Sequence, residues 1–360
     1  MKYGRVYNFS AGPAIMPLPV LEEIQSEVLN YNNSGMSVME MSHRSAVFSE
    51  ILAESKKDLR ELMNIPDNYT ILYIQGGGTL QFSMIPMNLL KKGEAVYIDT
   101  GSWSGKALKE AKKFGKIITG ASSADKNYTY IPDCSDLPIT PNTDYVYICE
   151  NETINGIKYN KLPNVKNSIL VSDQSSMFLS EPTDVASYGL IYGGIQKNVG
   201  PAGMSIVIIR TDLIRDDLNN VPLYLNYKIH ADNDSMYNTP NCWAIYCCGK
   251  VFKYLKKLGG LEKVKQNNIK KANILYEYLD SSKLFKGTAE KNSRSLMNIP
   301  FRTESDELDA KVIKLTKEAG FENLKGHKSV GGLRASIYNA MPIEGVEALV
   351  DCLKNIEKNM

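Results

Sequence analysis

The stretch Tyr188-Gly189-Leu190-Ile191-Tyr192-Gly193-Gly194-Ile195-Gln196-Lys197-Asn198-Val199-Gly200-Pro201-Ala202-Gly203-Met204-Ser205-Ile206-Val207-Ile208-Ile209 decides how the rest of the chain is read. Its two apolar runs, Tyr188 to Tyr192 and Met204 to Ile209, are strand-like and are joined by only eleven residues rich in glycine. A parallel crossover normally takes a dozen or more residues and usually a helix, so at least one antiparallel strand is expected here. Between the runs stands Lys197, in a segment whose glycines permit close backbone turns. A lysine on its own is most often a solvated surface charge. One placed in a short connection between central strands is a candidate imine-forming amine.

Moving outward, five earlier runs look like buried strands: Thr70 to Ile74, Glu94 to Ile98, Lys116 to Ile118, Tyr145 to Ile148 and Ser168 to Val171. They alternate with helical or turn material, which argues for an α/β fold with a mostly parallel sheet of seven strands in all. Before them lie an extended start containing Ser10-Ala11-Gly12-Pro13 and helical spacing at Leu21, Ile24 and Val28, then from Phe48 to Met63. After them, Asn241 is placed to cap a helix through Ile245, Cys248, Phe252 and Leu255, with Gly259-Gly260 as its stop. A second long helix is expected over about Leu261 to Leu279. Strand-like Leu296 to Phe301, helical Glu307 to Glu318, strand-like Leu333 to Tyr338 and a last helix after Pro342 suggest a smaller α+β domain. The expected division is an extended segment at 1–15, a large domain at 16–265 and a small domain at 266–360.

Forty-two basic and forty acidic side chains leave a formal charge of +2, which gives no reason to expect a nucleic-acid partner. The six cysteines form no CxxC pair and no zinc array with the three histidines, so no metal is expected. The first residues lack the apolar core of a signal peptide, and no apolar run approaches the roughly 20 residues of a membrane span. A cytoplasmic protein is expected.

The residues suited to chemistry cluster at strand ends. Asp173 follows the run Ser168-Ile169-Leu170-Val171-Ser172. Alone it reads as a turn or helix cap; with Lys197 it reads as the carboxylate that keeps a pyridine nitrogen protonated. The pair points to a pyridoxal phosphate (PLP) enzyme. Gly76-Gly77-Gly78-Thr79 matches no nucleotide-loop spacing, but amides at the start of a following helix are suited to a cofactor phosphate. Trp103, after another strand end, could stack on a flat ring or simply fill core. Thr153 could donate to a ring hydroxyl or serve a turn. His43-Arg44 and the segment carrying His327 and Arg334 supply donors for acidic substrates.

Taken together, Asn8-Phe9-Ser10-Ala11-Gly12-Pro13, Met41-Ser42-His43-Arg44, Tyr192-Gly193-Gly194-Ile195-Gln196-Lys197-Asn198, Gly200-Pro201-Ala202-Gly203 and the run Gly326 to Met341 closely resemble the phosphoserine aminotransferase family, within the class-V, fold-type-I PLP-dependent aminotransferases. The resemblance runs almost end to end. It implies that Lys197 carries the cofactor in a Schiff base and shuttles a proton, and that Asp173 pairs with the ring nitrogen. Trp103 would stack on the ring and Thr153 would donate to its oxygen. Gly78, Thr79 and Gln196 would hold the phosphate, joined by Asn238 and Thr239 from the neighbouring subunit. A homodimer with composite sites and one PLP per subunit is thereby implied.

By the same resemblance Arg334 binds the substrate α-carboxylate, while His43, Arg44 and His327 receive the distal phosphate or carboxylate. Some relatives have an arginine at the position of Thr79, and this chain does not. The implied reaction transfers the amino group of L-glutamate to 3-phosphohydroxypyruvate, giving O-phospho-L-serine and 2-oxoglutarate. Some relatives also form 4-phosphohydroxy-L-threonine for pyridoxine biosynthesis. Competing readings are another class-V activity, such as alanine-glyoxylate or serine-pyruvate transamination, a sulfur-extracting desulfurase, and an inactive scaffold of the same fold.

Overall fold

The computed structural model describes residues 2–360. All seven expected strands are present, and they form one sheet whose spatial order is Tyr69–Gln75, Met204–Arg210, Leu190–Gly194, Ile169–Asp173, Thr143–Cys149, Glu94–Asp99 and Lys116–Ser122. Met204–Arg210 runs against both of its neighbours, as the short connector required, and the remaining pairings are parallel.

The strands read as unbroken apolar runs because both sheet faces are covered. Met204, Ile206 and Ile208 pack with the helices Ala46–Met63 and Cys242–Lys257, while Val207 and Ile209 turn to the opposite core beside Phe82, Ile85 and Ala107. Each such aliphatic side chain taken fully from water contributes roughly 1.5–3 kcal/mol. Ser45 caps Ala46–Met63 by accepting from the Phe48 amide, and Asn241 caps Cys242–Lys257 by accepting from the Ala244 amide at 3.0 Å.

The run expected to start at Tyr188 begins as strand only at Leu190. The Tyr188 amide closes a turn onto the Val185 carbonyl, and its hydroxyl is drawn to the buried Glu150.

Beyond the sheet, Asn298–Arg302 pairs antiparallel with Leu333–Ser336 and with the short strand Lys286–Gly287. Asp306–Glu318 and Ile343–Lys358 pack in the same smaller core, which also takes in Phe9 and Ile15 from the start of the chain. Helix Gly260–Ser281 joins the two regions: Leu261 and Val264 belong to the sheet's core, Ala272 and Leu275 to the smaller one.

Candidate active site

The connections that leave the carboxyl ends of the sheet strands converge on one cavity. Its lining includes Gly78, Thr79, Trp103, Thr153, Asp173, Gln196 and Lys197, seven residues drawn from five separate stretches of sequence. Cavities of α/β sheets open at this edge because strand ends and helix starts bring side chains and free amides together there.

Lys197 is half-buried and its amine donates to the Thr153 hydroxyl at 2.8 Å. Burial pushes its pKa below the ordinary lysine value; Asp173, Cys149 and Glu152 oppose that shift and the Arg334 charge reinforces it. The amine also lies 5.6 Å from the centre of the Trp103 ring. A lysine so placed loses its proton more readily than one in water, which is what a nucleophile or general base requires.

Asp173 ends its strand in register with Tyr192 on one side and Cys149 on the other. One carboxylate oxygen accepts from the Ser175 amide at 2.8 Å, the other from the Tyr192 hydroxyl at 2.9 Å. The Tyr147 hydroxyl stands 2.8 Å from that of Tyr192, and the Tyr147 ring stacks on Tyr97 at 4.5 Å. Burial pushes the pKa of both Tyr147 and Tyr192 well up, so these phenols keep their protons and act as donors behind the carboxylate.

The outer residues are disposed differently. Arg334, on the strand Leu333–Ser336, has a buried Nε with no hydrogen-bond partner among the described residues, and burial lowers its pKa. His327 accepts at Nδ1 from the Ser329 amide at 3.2 Å, which leaves Nε2 as the protonated nitrogen. Its pKa is lowered by burial and by the charges of Arg334, Lys106 and Lys328. His43 and Arg44 precede the helix Ala46–Met63, and Asn238 and Thr239 lie exposed on a loop; none of the four lines this cavity. The His43 Nε2 is buried and unpartnered among the described residues.

Three residues here are not singled out by the sequence as site residues. Tyr192 reads as one more apolar strand position. Lys106 sits one helical turn beyond Trp103 with its amine 4.2 Å from that ring's centre; the i, i+3 spacing was its only signal. Glu152 is fully buried, and its carboxylate accepts from the Trp103 and Ser104 amides at 3.1 and 2.8 Å. Burial pushes its pKa up to about 7 although those hydrogen bonds oppose the shift.

The donor set suits a flat phosphorylated aldehyde. It combines an amine, a carboxylate for a ring nitrogen, an aromatic face and a helix start. The indole Nε1 of Trp103 and the Oε1 of Gln196 are buried without partners among the described residues. Gly78 leaves open a space in which a Cβ would press to 3.2 Å of the Ser175 hydroxyl. No helix of the described residues is long and apolar enough to cross a membrane, and among them no group of three or more His, Cys, Asp or Glu could hold a metal ion.

Comparison with known proteins points the same way. The family model "Aminotransferase class-V" matches residues 6–349. The chain is 52% identical over 354 residues to a phosphoserine aminotransferase of Bacillus cereus, covering 98% of each. It is 49% identical over 355 residues to the chloroplastic phosphoserine aminotransferase 1 of Arabidopsis thaliana, covering 98% of this chain and 83% of that protein. Among solved structures, the phosphoserine aminotransferase of Bacillus circulans subsp. alkalophilus superposes with a TM-score of 0.97 at 45% identity over 99% of both chains. A PLP-bound phosphoserine aminotransferase from Trichomonas vaginalis gives 0.93 at 40% identity, over 97% of this chain and 100% of that one.

Proposed function

This chain belongs to the class-V aminotransferases, and from that premise we propose that it is a PLP-dependent phosphoserine transaminase in which Lys197 is the catalytic amine. It converts L-glutamate and 3-phosphohydroxypyruvate into 2-oxoglutarate and O-phospho-L-serine. The observation that carries the residue assignment is the half-buried Lys197 amine, lowered in pKa, facing the same cavity as Asp173 and Trp103.

Lys197, Asp173, Trp103 and Thr153 would hold the PLP ring, and Gly78, Thr79 and Gln196 its phosphate. When bound, PLP supplies an electron-withdrawing ring that takes up the charge left as a proton leaves the substrate Cα. Asp173 sustains that demand by keeping a negative charge at the ring nitrogen, with the Tyr192 hydroxyl fixing the carboxylate's orientation. Lys197, once neutral, removes the Cα proton and returns it. Arg334 meets the α-carboxylate that both amino acids share. His327, Lys106, His43 and Arg44 meet the distal anion.

Because Asn238, Thr239, His43 and Arg44 stand away from this chain's own cavity, we assign them to the site of a second copy in a homodimer, working in the cytoplasm. The division 1–15, 16–265 and 266–360 belongs to the same reading, with the cavity lying beside the seam between the larger parts.

The test is a coupled assay with glutamate and 3-phosphohydroxypyruvate, run beside alanine with glyoxylate, on protein then trapped with borohydride and peptide-mapped. The expected result is turnover of the phosphorylated pair alone and a pyridoxyl label on Lys197. Preference for alanine would move the protein to another class-V activity; a label elsewhere would remove Lys197 from its role.

A further inference from the structure

Helix Ser102–Ala111 brings Trp103 to the cavity, yet its N-cap residue, Gly101, has no side chain with which to satisfy the first amides. The cap comes from elsewhere in the chain. Asn151–Glu152 forms a two-residue hairpin ladder with Ile157–Lys158, and from it the Glu152 carboxylate accepts from the Trp103 amide through one oxygen and the Ser104 amide through the other. Glycine at 101 is what lets the carboxylate in: a Cβ there would stand 2.6 Å from the Glu152 Cδ and 2.7 Å from the Asn155 Oδ1. The next residue, Thr153, accepts from the Lys197 amine. One hairpin edge therefore grips the backbone under the aromatic face and the reactive amine in consecutive residues.

We infer that Glu152 is a positioning residue for Trp103: its carboxylate fixes the first turn of Ser102–Ala111, and so fixes the plane of the indole against which the cofactor ring lies. A carboxylate at a helix start is favoured by the partial positive charge of the free amides. It also serves two amides at once, each through its own oxygen, whereas a glutamine in the same pose would turn an NH2 donor toward one of those N–H groups. Fixing the backbone at 103 sets the direction of the Trp103 Cα–Cβ bond and so the rotamers open to the ring. The cofactor's part in this inference rests on the function proposed above; the anchoring of Trp103 does not.

Trp103 and Trp243 are the chain's two tryptophans, so a Trp243→Phe background reports on Trp103 alone. In that background, cofactor-free Glu152→Gln should keep its circular dichroism while acrylamide quenching of Trp103 rises about threefold, as an uncapped first turn frays. PLP affinity should fall about tenfold, the worth of one charge-assisted hydrogen bond. Glu152→Asp, which retains the charge but is too short to reach both amides, is the second variant and should shift the same readouts in the same direction. Unchanged quenching and unchanged PLP affinity in the folded variants would overturn the inference, and so would a lowered Tm with Trp103 emission and quenching as in the parent. Wild-type protein that binds no PLP would instead count against the proposed function, and quenching alone would then decide the anchoring of Trp103.

Discussion

Lys197 and Lys271 are both withdrawn from water, and burial pushes both amines below the ordinary lysine pKa, Lys271 to about 7. Their surroundings are otherwise opposite. Lys271, from helix Gly260–Ser281, is 1% exposed and donates to the carbonyls of Ile337, Tyr338 and Asn339 at 2.9, 2.7 and 3.3 Å. Its three protons have three carbonyl acceptors, so none is left over for a further partner. Lys197 donates to a single hydroxyl and looks into the cavity, with Asp173 and Glu152 among the charges that act on it. Burial makes each amine easier to deprotonate, and the unspent valence of one turns that into reactivity. In the other the same burial serves to tie the end of Leu333–Ser336 to a helix.

The largest expected effect tests that contrast directly. Lys197→Ala should reduce kcat/KM for phosphoserine by at least about 10³-fold, the scale of a lost proton-transfer group, while leaving the Tm of cofactor-free protein unchanged or raised because a poorly solvated amine is gone. Steady-state kinetics and calorimetry on the same preparation read both. Residual turnover within tenfold of wild type, at the precision of order-of-magnitude reasoning about general acid-base catalysis, would mean that another group moves the proton.

The contrast also explains what the sequence reveals and what it hides. Lys197 and Asp173 were legible because each follows an apolar strand run and carries a charge where the chain must turn. Gly78, Thr79, Trp103, Thr153 and Gln196 share that placement, and the cavity gathers all of them. The strands were legible because both faces are buried; the edge strand Lys116–Ser122, with Thr119, Gly120 and Ser122 in its second half, runs four residues past its apolar part for the same reason in reverse. Glu152 and Lys271 were not legible. Their partners lie 48 to 68 residues away in the chain, and a polar residue in a turn or on a helix announces nothing about such distant contacts. Asn238 and Thr239 were found through resemblance alone, His43 and Arg44 were offered by the sequence only as cationic donors, and a single chain does not assemble the four into one site.

Arg334 extends the comparison to a third cation. Where Lys271 has every donor paired and Lys197 has one, the Arg334 Nε is buried with no partner among the described residues. A guanidinium left in that state is poised for a carboxylate, to which it can offer two parallel hydrogen bonds. Arg334→Ala should lower kcat/KM about 10²-fold for glutamate and phosphoserine alike, the cost of a charge-assisted pair, chiefly through KM. A loss confined to one of the two amino acids would show that Arg334 reads the distal group and not the α-carboxylate.

The smallest effect concerns Lys271 itself. Lys271→Met strands three buried carbonyls but relieves a buried charge, so the net loss of stability should be on the order of 2 kcal/mol, with activity per folded molecule retained. The pH dependence gives the sharper reading. With a folded pKa near 7 against an unfolded value of 10.5, both states hold the proton below pH 7 and the burial penalty is paid in full there. Between about pH 7 and 10.5 the unfolded chain binds more protons than the folded one, so this group's contribution to stability rises with pH. Subtracting the Tm of Lys271→Met from that of wild type across the range removes every other titration the two proteins share. The difference should widen from pH 7 to pH 10; a difference flat in pH would show that three carbonyls hold the Lys271 proton so firmly that burial never frees it, which would widen the gap between the two lysines still further.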